Sequence, residues 1–349
     1  MTTSAVSRLW FGEGVLPRAA RGALWPVALG YRAVVGARNA LYDAGVLRVH
    51  GGAIPALAIG NLTVGGTGKT PVAAWFAAEL VRRGARPAII LRGYGADEPL
   101  VHERLNPDVP VVVAPDRVGG LAQARALGAD VAVLDDALQH RRVARVANIV
   151  LISAERGVDG ARMLPAGPYR EPLSALRRAS LVVVTRKTAS ASEAAAVLAR
   201  ATAIAGAPGA VVHLEPSALV PVAGARGGAP VPLEGIAGRR LLVLTGVGEP
   251  GLVARQLEGA GAEVELRGFP DHHAFSDVEL AEAARSAATA GAQAVCTLKD
   301  AVKIAARWPG PGPLWYVSQR LTVDQGMEQL VHVLDSTVAV IRTISQTAG

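Results

Sequence analysis

The chain has 349 residues, half of them apolar and 19% charged, with a net charge of +7 and a single cysteine, Cys296. That length suits two domains with separate cores, and the composition excludes a disordered chain. One cysteine excludes an internal disulfide and a cysteine-rich metal site, and aromatics at 4% with no zinc, homeodomain or RNP pattern exclude nucleic acid as the evident partner.

Residues 1–50 carry Arg8, Arg18, Arg21, Arg32, Arg38 and Arg48 against Glu13 and Asp43, so the basic excess gathers at the N-terminus. Such a segment draws in anionic lipid or an anionic substrate. Within it Ala23 to Val35 is apolar but interrupted by Pro26, Gly30 and Arg32. It falls short of the roughly 20 apolar residues that span a bilayer. With Trp25 and Tyr31 among aliphatic side chains and arginines on both flanks, two readings stand: an element lying in a membrane interface, or a helix packed on the protein's own core.

A short apolar run, Ala56 to Ile59, then feeds the glycine-rich stretch GNLTVGGTGKTP at 60–71, after which Val72 to Arg83 has a helical pattern. Strand, loop and helix in that order are the context of a phosphate-binding Walker A loop, here Thr63, Val64, Gly65, Gly66, Thr67, Gly68, Lys69 and Thr70. Glycine backbone N–H groups can turn inward on phosphate oxygens at a helix N-terminus. Lys69 would then reach the β- and γ-phosphates of ATP, and the Thr70 hydroxyl would ligate Mg²⁺. Thr63 stands where the strict motif has its first glycine. Only four of the 36 basic residues are lysines, Lys69, Lys187, Lys299 and Lys303, so a lysine in this loop is itself informative.

Further strands are predicted at Pro87 to Leu91, ending in Arg92-Gly93-Tyr94-Gly95 with Asp97-Glu98-Pro99 on the following loop, and at Val109 to Ala114. A helix follows from Asp116, its N-cap, to Leu127. The strand Val131 to Leu134 closes on Asp135-Asp136, the acid-tipped run of a Walker B strand that would hold Mg²⁺ with Thr70. Asn148 to Ile152 and Leu181 to Thr185 complete the strands of this half, separated by the proline-rich loop LPAGPYREP at 164–172. Arg170 suits a bidentate phosphate clamp or an ion pair with Glu171 or another acid.

Residues 206–238 read as a connection with short extended pieces at 211–214 and 219–222. A second alternating block follows, with strands at 241–244, 263–267, 294–297 and 314–318 and helices at 252–260, 277–289, 301–307 and 324 to about 342. Cys296, inside an apolar strand, is expected to be a buried structural thiol. Alternation throughout predicts an α/β protein: a P-loop NTPase-like doubly wound parallel sheet with a second, smaller α/β/α domain. The expected division is 1–50 membrane-docking segment, 51–208 P-loop domain, 209–238 linker and 239–349 smaller domain. Gly246 to Gly251 also matches the dinucleotide pattern G-x-G-x-x-G, with Glu265 as a possible ribose ligand, but Pro250 stiffens the turn and favours a plain strand-to-helix corner.

GNLTVGGTGKTP, RGYG at 92–95, DEP at 97–99, DDALQH at 135–140, LPAGPYREP, FPDHHAFS at 269–276 and KDAVK at 299–303, taken together and in order, resemble the tetraacyldisaccharide 4'-kinase family. Three departures are Ala96 alone where the family has a longer segment, Ala137 for a common Gly, and Leu298 for a usual Glu. The resemblance implies a kinase on the cytoplasmic face of the inner membrane, peripheral or monotopic, that uses ATP and Mg²⁺. Its acceptor would be the 4'-hydroxyl of an anionic acylated disaccharide 1-phosphate, its product lipid IV(A), and no obligate protein partner is evident. It also implies Asp97 as base and His272 as its partner, reaching it from the second domain, with Glu98, Gln139, Arg170 and Glu171 as substrate candidates. Two other classes remain in view: a membrane-associated P-loop ATPase switch of the partitioning type, which would carry a second lysine where Val64 stands, and a dinucleotide-binding oxidoreductase using Gly246 to Gly251.

Overall fold

The computed structural model describes residues 5–93, 97–158, 160–222 and 229–347. Tyr94, Gly95 and Ala96, including half of the RGYG string, lie outside the described residues. The chain divides into two compact units, one holding 3–94, 102–212 and 323–349, the other 95–101 and 213–322.

In the unit that carries the P-loop, helices α1 (Ala5–Phe11) and α2 (Val15–Asp43) precede β1 (Ala56–Asn61), α3 (Lys69–Arg82), β2 (Pro87–Leu91), α4 (Asp97–Leu105), of which only 102–105 group here, β3 (Val111–Val113), α5 (Arg117–Ala126), β4 (Val131–Leu134), β5 (Ala147–Ser153), β6 (Leu181–Arg186) and α6 (Ala191–Ala205). The strands pair in the order β6-β5-β1-β4-β2-β3, all parallel. The chain winds from β1 to β2 and β3 on one side and to β5 and β6 on the other, so the order reverses at β1. Ligands of open α/β sheets bind beyond the carboxyl ends of strands at such a reversal. The loop after β1 and the acids after β4 both sit there. All six residues of β1 are buried, as a parallel strand covered on both faces requires. Ala56 and Ala58 share a cluster with Leu121 and Ala124 of α5, while Leu57 and Ile59 point to the other face by strand alternation.

Asp116 caps α5 as expected, its carboxylate accepting from the N–H groups of Val118 and Gly119. The expectation for Asp97-Glu98-Pro99 is corrected: they form the first turn of α4 and not a loop. Acids in a first turn favour the helix dipole, and a proline there loses no helical hydrogen bond. No apolar period signals so short a helix.

α2 runs unbroken through Pro26 for 29 residues. Ala28, with Leu24 and Tyr31 beside it, packs on a core cluster that includes Leu176, Val182 and Leu198. Trp25, Val27, Leu29 and Val34 on the same helix are exposed. The helix therefore packs part of its surface on the protein's own core and leaves other apolar side chains exposed. No helix among the described residues is long and apolar enough to cross a membrane.

In the other unit, β7 (Gly209–Pro221), β8 (Val231–Pro232), β9 (Arg240–Thr245), α7 (Pro250–Gly259), β10 (Glu263–Gly268), α8 (Asp277–Ala290), β11 (Gln293–Thr297), α9 (Leu298–Ile304) and β12 (Leu314–Gln325) follow in chain order. β10, β9, β11 and β12 form a parallel array in that order. Leu280, Ala283 and Ile304 cover one face, and Leu257 with Val253 the other, which makes this unit α/β/α. Cys296 is fully buried in β11, and burial pushes its thiol well above the ordinary range. β7 replaces the two short pieces expected at 211–214 and 219–222: the strand continues through Pro216, where Ser217 Oγ pairs with Ser318 Oγ at 2.8 Å.

The last helix, α10 (Met327–Thr347), was expected in the second block but groups with the P-loop unit. Its apolar stripe, including Leu330, Leu334 and Val338, is buried. Asp335 accepts from the Arg83 guanidinium at 3.0 Å, just beyond the end of α3.

Candidate active site

Gly68 caps α3 in the left-handed region at φ 76, and Gly65 has φ 105. Both backbones are ones that a Cβ strains. Thr63 needs no such freedom. It forms an antiparallel bridge with Tyr169, and the Val64 N–H donates to Pro168 C=O at 2.8 Å, so the LPAGPYREP loop braces the start of the nucleotide loop. This accounts for a threonine where the strict motif has glycine. Lys187 Nζ donates to Gly66 C=O at 2.9 Å and Arg156 to Val64 C=O at 3.1 Å, adding two cations at the loop.

Behind the loop, Asn61 is fully buried at the end of β1. Its Nδ2 donates to Thr67 Oγ1 at 2.8 Å and to Thr63 Oγ1 at 3.3 Å, while Oδ1 accepts from Lys69 Nζ at 3.4 Å and from Arg170. Gln139 Nε2 donates to its carbonyl at 2.9 Å. Asn61 was not among the residues singled out from sequence, because a polar residue closing a strand has no signature until its neighbours are known.

Asp136 stands at φ 50 with its carboxylate in the fork of Arg170, at 2.7 and 3.0 Å, and 3.9 Å from Lys69 Nζ. Burial alone would raise its titration, but Lys69, Arg170 and Arg117 hold it below the ordinary carboxylate value. Arg170 thus engages Asp136 and Asn61. Its neighbour Glu171, almost wholly buried, accepts instead from Arg178 at 2.6 Å and from Asn39 at 2.9 Å. Asp135 is buried with Oδ2 at 2.9 Å from Nε2 of the equally buried His102, and its Oδ1 has no hydrogen-bond partner. Arg145 ties down the loop after these acids through the carbonyls of Ala137, at 2.7 Å, and His140. Burial, then the surrounding arginines, push His140 down to about 4.

No cluster of three or more His, Cys, Asp or Glu side chains among the described residues could hold a metal unaided. A Mg²⁺ bound largely through nucleotide phosphates and water asks for less: one or two hard oxygen ligands. The half-buried Thr70 and the orphaned Asp135 oxygen are such donors and fit that group.

In the other unit, Asp97 is 2% exposed with Oδ1 at 3.2 Å from His272 Nδ1, across 175 positions of sequence. The expectation that His272 would reach Asp97 from another domain is corrected: residues 95–101 group with 213–322. His272 has φ 59, held by its N–H donating to Gly246 C=O at 3.1 Å. A Cβ on Gly246 would lie 3.0 Å from the Cβ of His273 and 3.1 Å from Pro270 O. That glycine therefore admits the 270–273 turn, and its dinucleotide-like spacing is a structural corner in which Pro250 opens α7. Asp300, fully buried, accepts from the Thr245 hydroxyl at 2.9 Å and the Gly246 N–H at 3.1 Å, which anchors this turn. His273 is held by Glu279 at 3.1 Å.

A buried carboxylate on an imidazole, a glycine loop at a helix start and two acids at the sheet reversal are the parts of a phosphotransferase. The family model described as tetraacyldisaccharide-1-P 4'-kinase matches residues 20–98 and 96–338. The chain belongs to that family. The two matched stretches meet at 96–98, where this sequence has the shortened segment. A tetraacyldisaccharide 4'-kinase of Anaeromyxobacter sp. (strain Fw109-5) is 38% identical, covering 99% of this chain and 100% of that protein. Another, of Syntrophus aciditrophicus (strain SB), is 35% identical over 85% of this chain and 88% of its own length. The crystal structure of the "apo" form of LpxK from Aquifex aeolicus in complex with ATP is similar at a TM-score of 0.70 and 26% identity, covering 91% of this chain and 99% of that one. Membership of this family sets aside the partitioning-type switch and the dinucleotide oxidoreductase.

Proposed function

We propose that this chain is an ATP-dependent kinase that transfers the γ-phosphate to the 4'-hydroxyl of tetraacyldisaccharide 1-phosphate, forming lipid IV(A). The observation that carries this reading beyond family membership is the Asp97–His272 pair. One oxygen of a nearly buried carboxylate rests on the imidazole, and the other, Oδ2, has no hydrogen-bond partner. A sugar hydroxyl is a poor nucleophile until its proton has an acceptor, and Oδ2 is an acceptor that holds no hydrogen bond of its own. In the proposed step the 4'-oxygen bonds to the γ-phosphorus, the bond from that phosphorus to the β–γ bridging oxygen breaks, ADP leaves, and the hydroxyl proton passes to Asp97. His272 orients the carboxylate.

Thr63 to Thr70 would cradle the triphosphate, with Lys69 released from Asn61 and Asp136 to the phosphates. Thr70 and Asp135 would hold Mg²⁺, which supplies charge neutralisation on the phosphoryl oxygens when bound. Asp136 would be a further ligand once Lys69 turns to the nucleotide. Arg170, Glu171, Gln139 and Glu98 would contact the disaccharide. The exposed apolar side of α2, with Val27 59% and Val34 69% exposed, supports docking at the cytoplasmic face of the inner membrane, where an acylated acceptor resides. The test is incubation with γ-labelled ATP and the disaccharide 1-phosphate, followed by mapping of the labelled position. Label at 4' that depends on acceptor is expected, and ATP hydrolysis indifferent to acceptor overturns the proposal. Asp97→Asn is expected to keep ATP affinity and lose turnover; turnover within about twofold of the parent would remove Asp97 as the base.

A further inference from the structure

We infer that Lys299 is a positioning residue for this chemistry: its ammonium selects the imidazole tautomer in which His272 donates from Nδ1 to Asp97. The inference rests on the reading of Asp97 as the base.

Asp97, Asp271, His272 and Lys299 lie within one compact unit. Lys299 Nζ is 3.1 Å from His272 Nε2, 3.1 Å from Asp271 Oδ1 and 4.0 Å from Asp97 Oδ2. At the other ring nitrogen, Nδ1 is 3.2 Å from Asp97 Oδ1. An ammonium has three N–H groups and no lone pair, so any ring nitrogen in contact with it must present its own lone pair. Nε2 is then the acceptor, and the single proton of the neutral ring is on Nδ1, aimed at Asp97. The other tautomer sets N–H against N–H at Lys299 and lone pair against carboxylate at Asp97, losing both contacts. An imidazolium meets the same conflict at Lys299. The direction of both hydrogen bonds, from Lys299 to His272 and from His272 to Asp97, is therefore dictated at the lysine. Its consequence is at Oδ2, the buried oxygen that holds no hydrogen bond and is left as the proton acceptor.

The surroundings keep this relay in register. Lys299 is the second residue of α9, next to the Asp300 that anchors Gly246, and Gly246 C=O in turn holds the His272 backbone. The ring and the lysine thus hang from one buried carboxylate. The other charged groups of the neighbourhood are engaged with one another, Lys303 with Asp300 at 3.0 Å and His273 with Glu279. Asp271 balances the Lys299 charge, so the lysine contributes chiefly the direction of its hydrogen bond.

The experiment uses the full chain labelled with ¹⁵N-histidine. Two-bond ¹H–¹⁵N correlations distinguish the two neutral tautomers, and the His272 signal is assigned by its loss in His272→Gln. The parent protein is expected to show His272 as the Nδ1–H form, Lys299→Met to show the Nε2–H form or a mixture, and Lys299→Arg to keep the parent pattern. In parallel, kcat falls on the order of tenfold in Lys299→Met, part of the roughly 10²–10⁴-fold that positioned proton transfer supplies, with KM for ATP unchanged and most of the loss recovered in Lys299→Arg. An Nε2–H signal in the parent, or a Lys299→Met protein with parental tautomer and kcat, overturns the inference. The parent spectrum decides even if Lys299→Met fails to fold. Asp97→Asn, assayed alongside, separates the two levels: retained turnover there sinks the base assignment itself, whereas lost turnover with an unaltered Lys299→Met sinks only the role given to the lysine.

Discussion

Asn61→Ala removes the buried amide on which the nucleotide loop, Asp136 and the Arg170 loop converge. Thr67 is 3% exposed, so when its donor at 2.8 Å is deleted its hydroxyl oxygen is left without water or partner. Such a group costs about 1–3 kcal/mol. Lys69 and Arg170 lose the Asn61 oxygen but keep Asp136, and partly exposed contacts of that kind are worth about 0.5–1 kcal/mol. The expected destabilisation is about 3 kcal/mol, which at roughly 2–4 °C per kcal/mol for a domain of 150–250 residues lowers the melting transition of the P-loop unit by about 6–12 °C. Circular dichroism with and without ATP is the assay. KM for ATP should also rise, because Lys69 loses the group that holds it off Asp136. A melting transition within about 2 °C of the parent, with KM unmoved, would refute the view that Asn61 organises the loop.

Glu155 accepts the N–H groups of Lys187 and Thr188, at 2.6 and 3.0 Å, and the Ser153 hydroxyl. Burial opposes its ionisation, but these bonds hold it down to about 2 against an ordinary 4.5. A depressed carboxylate stabilises fully above its unfolded value and loses that stabilisation as pH falls from 4.5 toward 2. Glu155→Gln should therefore be less stable by about 2 kcal/mol near neutrality, with the gap to the parent closing in that acid window in urea titrations. Gly246→Ala drives a Cβ into the 270–273 turn and should lower kcat while leaving KM for ATP in place; equal kcat would show that the turn has slack. The double variant Val27→Asp and Val34→Asp should lose sedimentation with anionic vesicles yet phosphorylate detergent-dispersed acceptor, and undiminished vesicle binding would remove α2 as the docking face.

How much was legible beforehand depended on range. β2 and β4 lie where apolar runs bounded by turn residues predict them, and Asp116 caps α5, since each of these is decided within a few residues. The same is true of Gly65 and Gly68, whose left-handed backbones follow from the motif. Asp97 was named from its string but assigned to a loop, because a nine-residue polar helix has no period to read. β7 was cut in two because Pro216 resembles a break until Ser217 finds Ser318. His102 and Glu155 carried no signal at all, and Asn61 and Lys299 stood inside noted strings with no role attached, being polar residues whose partners are remote in sequence.

By itself the amino-acid order determined the alternation of strands and helices, the phosphate loop, the acids after β4 and the family that those strings spell. Only the tertiary structure decided that Lys299 stands on the His272 ring beside Asp97, that Arg170 clasps Asp136 and not Glu171, and that α10 returns to the P-loop unit. The physical reason is the same in each case. Backbone propensity and local spacing act over one or two turns of chain, whereas the partner of a buried charge is chosen by desolvation, which counts every group brought near it regardless of its distance along the sequence.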